Sequence, residues 1–368
     1  MAQPQIAVNN LNLAQGETDE IERAALFIGE GATNTDSLIP LDAQSDLDDA
    51  LGTISSAIKD QVEAAQSNGG SNWKAWAVPI TNGDDWKDTL DSAMLGCSPE
   101  LVVLCDPATA SADLEAMQTK AESIRTSLGR RIVILTASET INDSTQTWAE
   151  YLAAQTAITN GVAAYRVVVV PLLHGNDLGV LVGRLCKRSI SIADSPMRFA
   201  TGPVVGLGET PVDSAAIELP SATLAALDGQ RLSCIYKYVD VAGTYWGDAN
   251  CLDIDGGDYQ VIENLRVVDK ACRKVRLKAI SKVADRSLNS TSGSIAQHKT
   301  YFMKPLREMA EATEFNSITI PGDIKSPTDE SIVFTWKNSN EVNIFVAVQP
   351  YNSPKTIIAN VILDSSQS

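Results

Sequence analysis

His174 and His298 are the only imidazoles in 368 residues. Two histidines cannot build a multi-histidine metal site. They leave few routes to general acid–base chemistry near neutral pH, where histidine is the usual carrier. His174 lies between a valine-rich strand and a helical stretch, the place where α/β proteins often build active sites. No histidine or cysteine stands beside it. The six cysteines, Cys97, Cys105, Cys186, Cys234, Cys251 and Cys272, form no CxxC and keep no zinc spacing to a histidine. Apolar neighbours such as Leu101-Val102-Val103-Leu104 before Cys105 fit buried, reduced thiols of a cytoplasmically made protein. Asp253-Ile254-Asp255-Gly256-Gly257-Asp258 has the look of a calcium loop. Counted from Asp253, the positions that need Gly and Glu hold Asp258 and Asn264, and a Gly-rich turn into a helix is the plainer account. Gly29-Glu30-Gly31 carries two of the three glycines of a dinucleotide fingerprint. Glu30 would face the phosphates, and Leu38–Leu41 looks extended where the helix should start. The sequence contains no GxxxxGKS/T, GxSxG or HExxH. The expectation is no catalysis, no cofactor and no metal.

Charge carries more information. The chain holds 29 Lys and Arg against 46 Asp and Glu, a net −17. That balance argues against a nucleic-acid binder and against an anionic membrane surface. Residues 1–99 hold 16 acids and 4 bases, net −12, whereas residues 259–309 hold 11 bases and 4 acids, net +7. Within the basic segment Arg266, Lys270, Lys274, Lys278, Lys282 and Arg286 recur every fourth residue, with Arg273 and Arg276 beside them. Four residues turn a helix by about 400°, so the row drifts about 40° per step and winds roughly 200° in all. Val261, Leu265, Val268, Cys272, Val275 and Ala279 form the opposing apolar stripe. The row is either a solvated basic face or an electrostatic contact, with a partner tube or with the acidic front of a neighbouring subunit.

The elements that must position these residues follow from periodicity. Residues 1–20 read as an arm, with short alternating strand patterns around an Asn-Asn break. From residue 21, apolar strands alternate with amphipathic helices. The strands are Ala24–Gly29, Trp76–Ile80, Leu101–Cys105, Ile132–Leu135 and Arg166–Val170. The helices are Ser45–Ala65, Asp85–Leu95, one from Leu114 to Leu128, Thr147–Ile158 and Leu178–Arg188. That order implies an α/β domain over 21–195 with a mostly parallel, two-sided sheet. Gly and Pro crowd Gly202–Pro211, and an α+β domain follows over 196–350. It comprises a helix near Ser221–Leu227, strands near Leu232–Val239 and Tyr245, and a long helix Tyr259–Val283. A second helix, Ile295–Ala312, is broken or kinked at Pro305, and strands follow at Ser317–Ile320, Ser331–Trp336 and Val342–Val348. Residues 351–368 read as a C-terminal arm, with an apolar strand at 356–363.

Several stretches in this order resemble the contractile tail sheath proteins of bacteriophages and related injection systems. Ala24-Ala25-Leu26-Phe27-Ile28-Gly29-Glu30-Gly31, Ser37-Leu38-Ile39-Pro40-Leu41 and Asp46-Leu47-Asp48-Asp49-Ala50-Leu51-Gly52 are similar to the family's opening. Val170–Gly179 with Gly183-Arg184-Leu185 resembles its link into the common domain. Leu227-Asp228, then Tyr245-Trp246-Gly247-Asp248-Ala249-Asn250-Cys251-Leu252, resembles two further signatures, with Asp248 and Asn250 in place of the usual Arg-Thr type. Tyr259 through Asn264-Leu265-Arg266-Val267-Val268-Asp269, and Pro350 before the Ile357–Leu363 strand, fit the family's end.

The resemblance implies a non-enzymatic subunit. Six copies form a ring, rings stack helically around a rigid tube, and the lattice contracts to drive the tube through a cell envelope. Implied partners are further copies of the chain, the tail tube protein, and baseplate and tail terminator proteins, without direct nucleic-acid contact or membrane insertion. The implied location is the virion tail, assembled in the host bacterial cytoplasm. The expected partner contacts are Ile6, Val8, Leu11 and Leu13 in the first arm and Ile358, Asn360 and Ile362 in the last. Arg266, Lys270, Lys274, Lys278 and Lys282 of the basic row complete the set. A nucleotide-binding α/β enzyme and another phage assembly protein, of capsid or baseplate, are the alternatives.

Overall fold

The computed structural model describes residues 21–315 and 318–359. Its first part alternates strand and helix: β1 (Ala25–Glu30), β2 (Ile39–Asp42), α1 (Leu47–Leu51), α2 (Ala57–Gly69), β3 (Lys74–Ile80), α3 (Trp86–Gly96), β4 (Leu101–Ala108), α4 (Ser111–Leu128), β5 (Val133–Ser138), α5 (Trp148–Thr159), β6 (Ala164–Pro171) and α6 (Asp177–Cys186). The second part has α7 (Ser221–Gly229), β7 (Ile235–Tyr236), β8 (Tyr245–Trp246), β9 (Cys251–Leu252), α8 (Ile262–Ile280) and α9 (Ser292–Ala310). Two hairpins close the described chain: β10 (Thr313–Phe315) with β11 (Ile318–Ile320), and β12 (Ile332–Asn338) with β13 (Glu341–Val346).

One seven-stranded sheet organises the molecule, in the order β2-β3-β1-β4-β5-β6-β9. The five inner strands are parallel, with Phe27 level with Ala77 and Val103, and Leu135 level with Val103 and Val168. The two edge strands run antiparallel. Strands buried on both faces need continuous apolar sequence, and Val167 to Val170 are fully buried. Asp46, Ser56, Asp85 and Thr147 cap α1, α2, α3 and α5 with their side chains. Thr147 and Glu150 form the expected capping box at α5, and Gly129, at φ 66°, ends α4 in the left-handed conformation that favours glycine. The fold is thus a mixed α/β architecture with a parallel-rich sheet.

Three expectations change. The single helix over Ser45–Ala65 is two helices. Gly52 (φ 94°) ends α1 and Ser56 caps α2 by accepting from the Lys59 N–H at 3.3 Å. The strand over Leu232–Val239 shrinks to Ile235–Tyr236. Of the two expectations for α9, a break at Pro305 is excluded, since the helix runs on through that buried residue.

The cores also cross the expected 195/196 boundary. The main core continues through Leu224, Leu227, Trp246 and Cys251 to Leu265, because β9 adds to the main sheet beside β6. A smaller core gathers Ile192 with Val267, Ala271, Phe302, Leu306 and Ile332. Helix α8 belongs to both, with Ile262 and Leu265 in the first and Val267 and Ala271 in the second.

Candidate functional site

Helix α8 carries the basic row from Arg266 to Lys278, with Lys282 and Arg286 beyond its end at Ile280, and its position between two cores decides what each cation can do. Arg266 is 2% exposed. It donates from Nε and Nη2 to the two carboxylate oxygens of Glu100 at 2.7 and 2.8 Å, and from Nη2 to the Leu185 carbonyl at 3.2 Å. Burial alone would push the Glu100 carboxyl up. The Arg266 charge and hydrogen bonds, with the Arg23 backbone N–H, outweigh it and hold the carboxyl below its ordinary range. Lys270 donates to Asp323 at 2.7 Å, Arg273 pairs with Glu22 at 2.5 Å, and Lys274 lies 3.8 Å from Glu308. Lys278 and Lys282 lie over the Tyr301 ring at 5.1 and 5.2 Å, and Lys282 also pairs with Asp285 at 2.7 Å. The row is therefore neither a free basic face nor an even ladder. Its first members fasten α8 to the body, and only toward the C-terminal end do side chains reach solvent: Leu277, Ile280 and Val283 are exposed there. Arg266 is withdrawn from any partner by the fold. The opposite charges it needs sit far away in sequence, which is why spacing could not show it.

Residues outside that row complete the fastening. Arg166 makes a two-pronged contact with Asp269 at 2.8 and 3.0 Å and also reaches Glu122 at 3.2 Å. Burial nevertheless leaves the Asp269 carboxyl raised. Lys355 binds Asp248 and, at 2.8 Å, Glu263 at the start of α8. Burial, and then Asp248 as a like charge, push the Glu263 carboxyl up. Sequence reading missed this triad. Its one visible trace was Asp248, which departs from the sheath pattern. The other departure, Asn250, donates to Asp228 at 2.9 Å.

The chain ends are partly in view. Ile6, Val8, Leu11, Leu13, Asn360 and Ile362 lie outside the described residues. Ile358 is 81% exposed and Ile357 80%, and residues 356–359 form no strand, unlike the expected 356–363. Just before them, Pro350 bridges to Ile324 and Lys325 donates to the Gln349 carbonyl at 2.8 Å.

The candidate chemical residues have local roles. His174 Nδ1 pairs with Asp177 at 2.8 Å, and the His174 N–H donates to the same carboxylate at 2.5 Å, closing the turn into α6. His298 is buried in α9 beside Ser294. The Asp253 carboxylate accepts the N–H groups of Ile254 and Tyr259, each at 2.9 Å. Gly29 and Gly31 are packing positions: an added Cβ would lie 2.6 Å from Cys105 Cβ and 2.9 Å from Pro79 Cβ. The next element is β2, not a helix that could receive phosphate. All six cysteines are free thiols, five of them buried, and burial pushes Cys97 to about 11 and Cys186 to about 12. No helix among the described residues is long and apolar enough to cross a membrane.

Comparison with known proteins matches the DUF2586 N-terminal domain to residues 3–250 and the DUF2586 C-terminal domain to residues 258–366. A protein of Haemophilus phage HP1 (strain HP1c1), provisionally named a tail sheath protein, is 41% identical over 368 residues, covering 98% of this chain and 98% of its own. Among solved structures, the helical sheath of the anti-feeding prophage in its contracted state aligns over 99% of this chain and all of its own, with TM-score 0.63 and 13% identity. A sheath tail protein from Listeria innocua covers 92% of this chain and 93% of its own, with TM-score 0.55 and 9% identity. At such identities these likenesses concern the fold.

Proposed function

This chain belongs to the DUF2586 family, and from that premise and its tail sheath relative we propose that it is the structural subunit of a contractile tail sheath. The observation that carries this is the 41% identity, which runs nearly end to end through both cores. Copies assemble as hexameric rings stacked around a tail tube, made in the host cytoplasm and held in the virion tail. The tube, baseplate and terminator proteins are the other partners, and the subunit has no catalytic role. Contraction drives the tube through the envelope.

The linking elements are the two chain ends, with Ile6, Val8, Leu11 and Leu13 on one side and Ile358, Asn360 and Ile362 on the other. Strand addition supplies main-chain hydrogen bonds with little demand on sequence. The β12–β13 hairpin supports this reading, because neither strand has a second neighbour among the described residues. Val333 and Phe345, on that hairpin, are exposed. Lys278, in the last turn of α8, and Lys282, just past its end, are placed for salt-sensitive contacts with an acidic neighbour.

Negative-stain microscopy of the purified protein tests the proposal. A sheath subunit forms hollow tubes of uniform diameter. Closed shells or flat discs would point to a capsid or baseplate role. A small oligomer with a nucleotide-dependent rise in melting temperature would point to an enzyme.

A further inference from the structure

Two exposed surfaces of opposite charge lie toward opposite ends of the main sheet. The first is the last turn of α8 and the segment after it. Residues 276–286 hold four bases and one acid. Arg276 and Arg286 are exposed, and neither they nor Lys278 pairs with a carboxylate among the described residues. Leu277, Ile280 and Val283 are exposed along the same stretch. The second surface is the corner formed by β2, α1 and α2. Residues 42–63 hold six acids and one base. That base, Lys59, is buried; it pairs with Asp48 at 2.5 Å and lies 3.7 Å from Glu63. Asp46, Asp49 and Asp60 have no cation partner among the described residues: Asp46 caps α1, and Asp60 accepts from the Ser55 hydroxyl at 2.8 Å. Ile54, in the turn between the two helices, is exposed.

Their placement keeps them apart within one molecule. Helix α8 crosses the N-terminal ends of the parallel strands. Arg273 reaches Glu22 before β1, Arg266 reaches Glu100 before β4, and a Cβ on Gly129, before β5, would lie 2.5 Å from Arg276 Nη2. The acidic corner sits at the C-terminal ends. Asn34, past β1, donates to the Ala50 carbonyl at 2.9 Å, and a Cβ on Gly31 would lie 3.1 Å from Ile58 Cγ2. A strand as long as β1 puts about 20 Å between the two ends. We propose that the basic tip of one copy docks on the acidic corner of the next, with Ile280 and Val283 against Ile54 and the charges around them. An apolar centre with a charged rim is ordinary interface anatomy. The charges also set polarity, because two tips or two corners would repel. A contact between two different surfaces repeats from copy to copy, closing a ring or building an open helical stack. The inference rests on the sheath reading, and it identifies the acidic neighbour as a second copy of this chain rather than the tube.

The test follows polymerisation of the full chain at low salt by turbidity and negative-stain microscopy. Lys278→Glu with Arg286→Glu reverses the tip, and Asp49→Lys with Glu63→Lys reverses the corner. Each pair of changes should raise the protein concentration needed for assembly about tenfold, the weight of two exposed ion pairs. An equal mixture of the two altered proteins should assemble as the unaltered one does, because each tip then finds a corner of opposite sign. A chain carrying all four changes should do the same. A second measurement alters no charge. Benzoylphenylalanine in place of the exposed Val283, in an equal mixture of light- and heavy-isotope protein, should crosslink to residues 42–63, with half of the crosslinks joining light to heavy chains. Failure of the mixture to assemble, crosslinks outside residues 42–63, or crosslinks confined to one isotopic form would each overturn the contact, and the first would point to the tube protein as what the tip meets. In those cases the sheath reading stands so long as the unaltered protein forms tubes. Unaltered protein that forms no polymer would overturn the reading and the contact together.

Discussion

Arg266 and Glu100 meet across 166 positions of sequence, both buried, and each leaves the other unpaired if removed. Breaking such a pair is costly because the surviving charge stays desolvated, typically about 3–5 kcal/mol. Arg266→Leu should therefore lower the melting temperature sharply, and Arg266→Leu combined with Glu100→Leu should recover much of the loss. The pair also sets a pH dependence. The Glu100 carboxyl is held below its ordinary value of 4.5 in the folded state. A depressed carboxyl contributes stability above its unfolded value, and that stability is lost as pH falls through the folded one. Melting temperature should decline as pH drops below about 4.5, and the decline should be shallower in Glu100→Gln, as a pH series of thermal melts would show. Gly179 is a second position governed by contact. An added Cβ would lie 2.0 Å from the Gln61 carbonyl oxygen of α2, and at Gly183 2.4 Å from that of Ala65. Gly179→Ala should cost about 1–3 kcal/mol of unfolding free energy in denaturant titrations, since backbone must move to admit the methyl.

Among the elements, α8 couples the two cores and the C-terminal segment. Its first turn holds Glu263, which with Asp248 grips Lys355, so the chain is fastened at Lys355 just before its exposed Ile357 and Ile358. Without that cation, two carboxylates would face each other in a buried place. Lys355→Met should raise the Glu263 carboxyl further and free the segment after Pro350. Limited proteolysis should then cut that segment faster than in the unaltered protein, while Lys355→Arg should resemble it. Equal cleavage in all three proteins would show that the triad does not anchor the segment.

Across the whole molecule, the proposal puts the links between copies at the two chain ends. Removing residues 1–16, or residues 357–368 beyond the Lys355 anchor, should leave a monomer with nearly unchanged melting temperature that fails to form tubes by negative-stain microscopy. Normal tubes from either truncated protein would remove the linking role. Charge reversal of Lys278 and Lys282 to Glu should weaken assembly at low salt and matter less at high salt, because exposed pairs are screened within about 10 Å at 0.1 M ionic strength. Turbidity across ionic strength reads that difference.

Sequence alone determined the order of the five inner parallel strands and, apart from the break at Gly52, of the helices through Cys186, because fully buried strands need unbroken apolar runs and helix starts need caps, as at Thr147 and Glu150. The order of signatures from Ala24 to Pro350 was also enough to indicate the sheath family. Tertiary structure alone decided the fate of the basic row. A four-residue spacing reports which way a side chain leaves its helix, not what stands opposite. Glu100, Glu22 and Asp323 reach Arg266, Arg273 and Lys270 only because the main sheet and the smaller core close on α8 from two sides. The same holds for the division of the chain. The change in composition after residue 195 is real, yet Cys251 and Leu252 return to pair with β6, and strand pairing depends on which backbone edge is free, a property no local pattern contains.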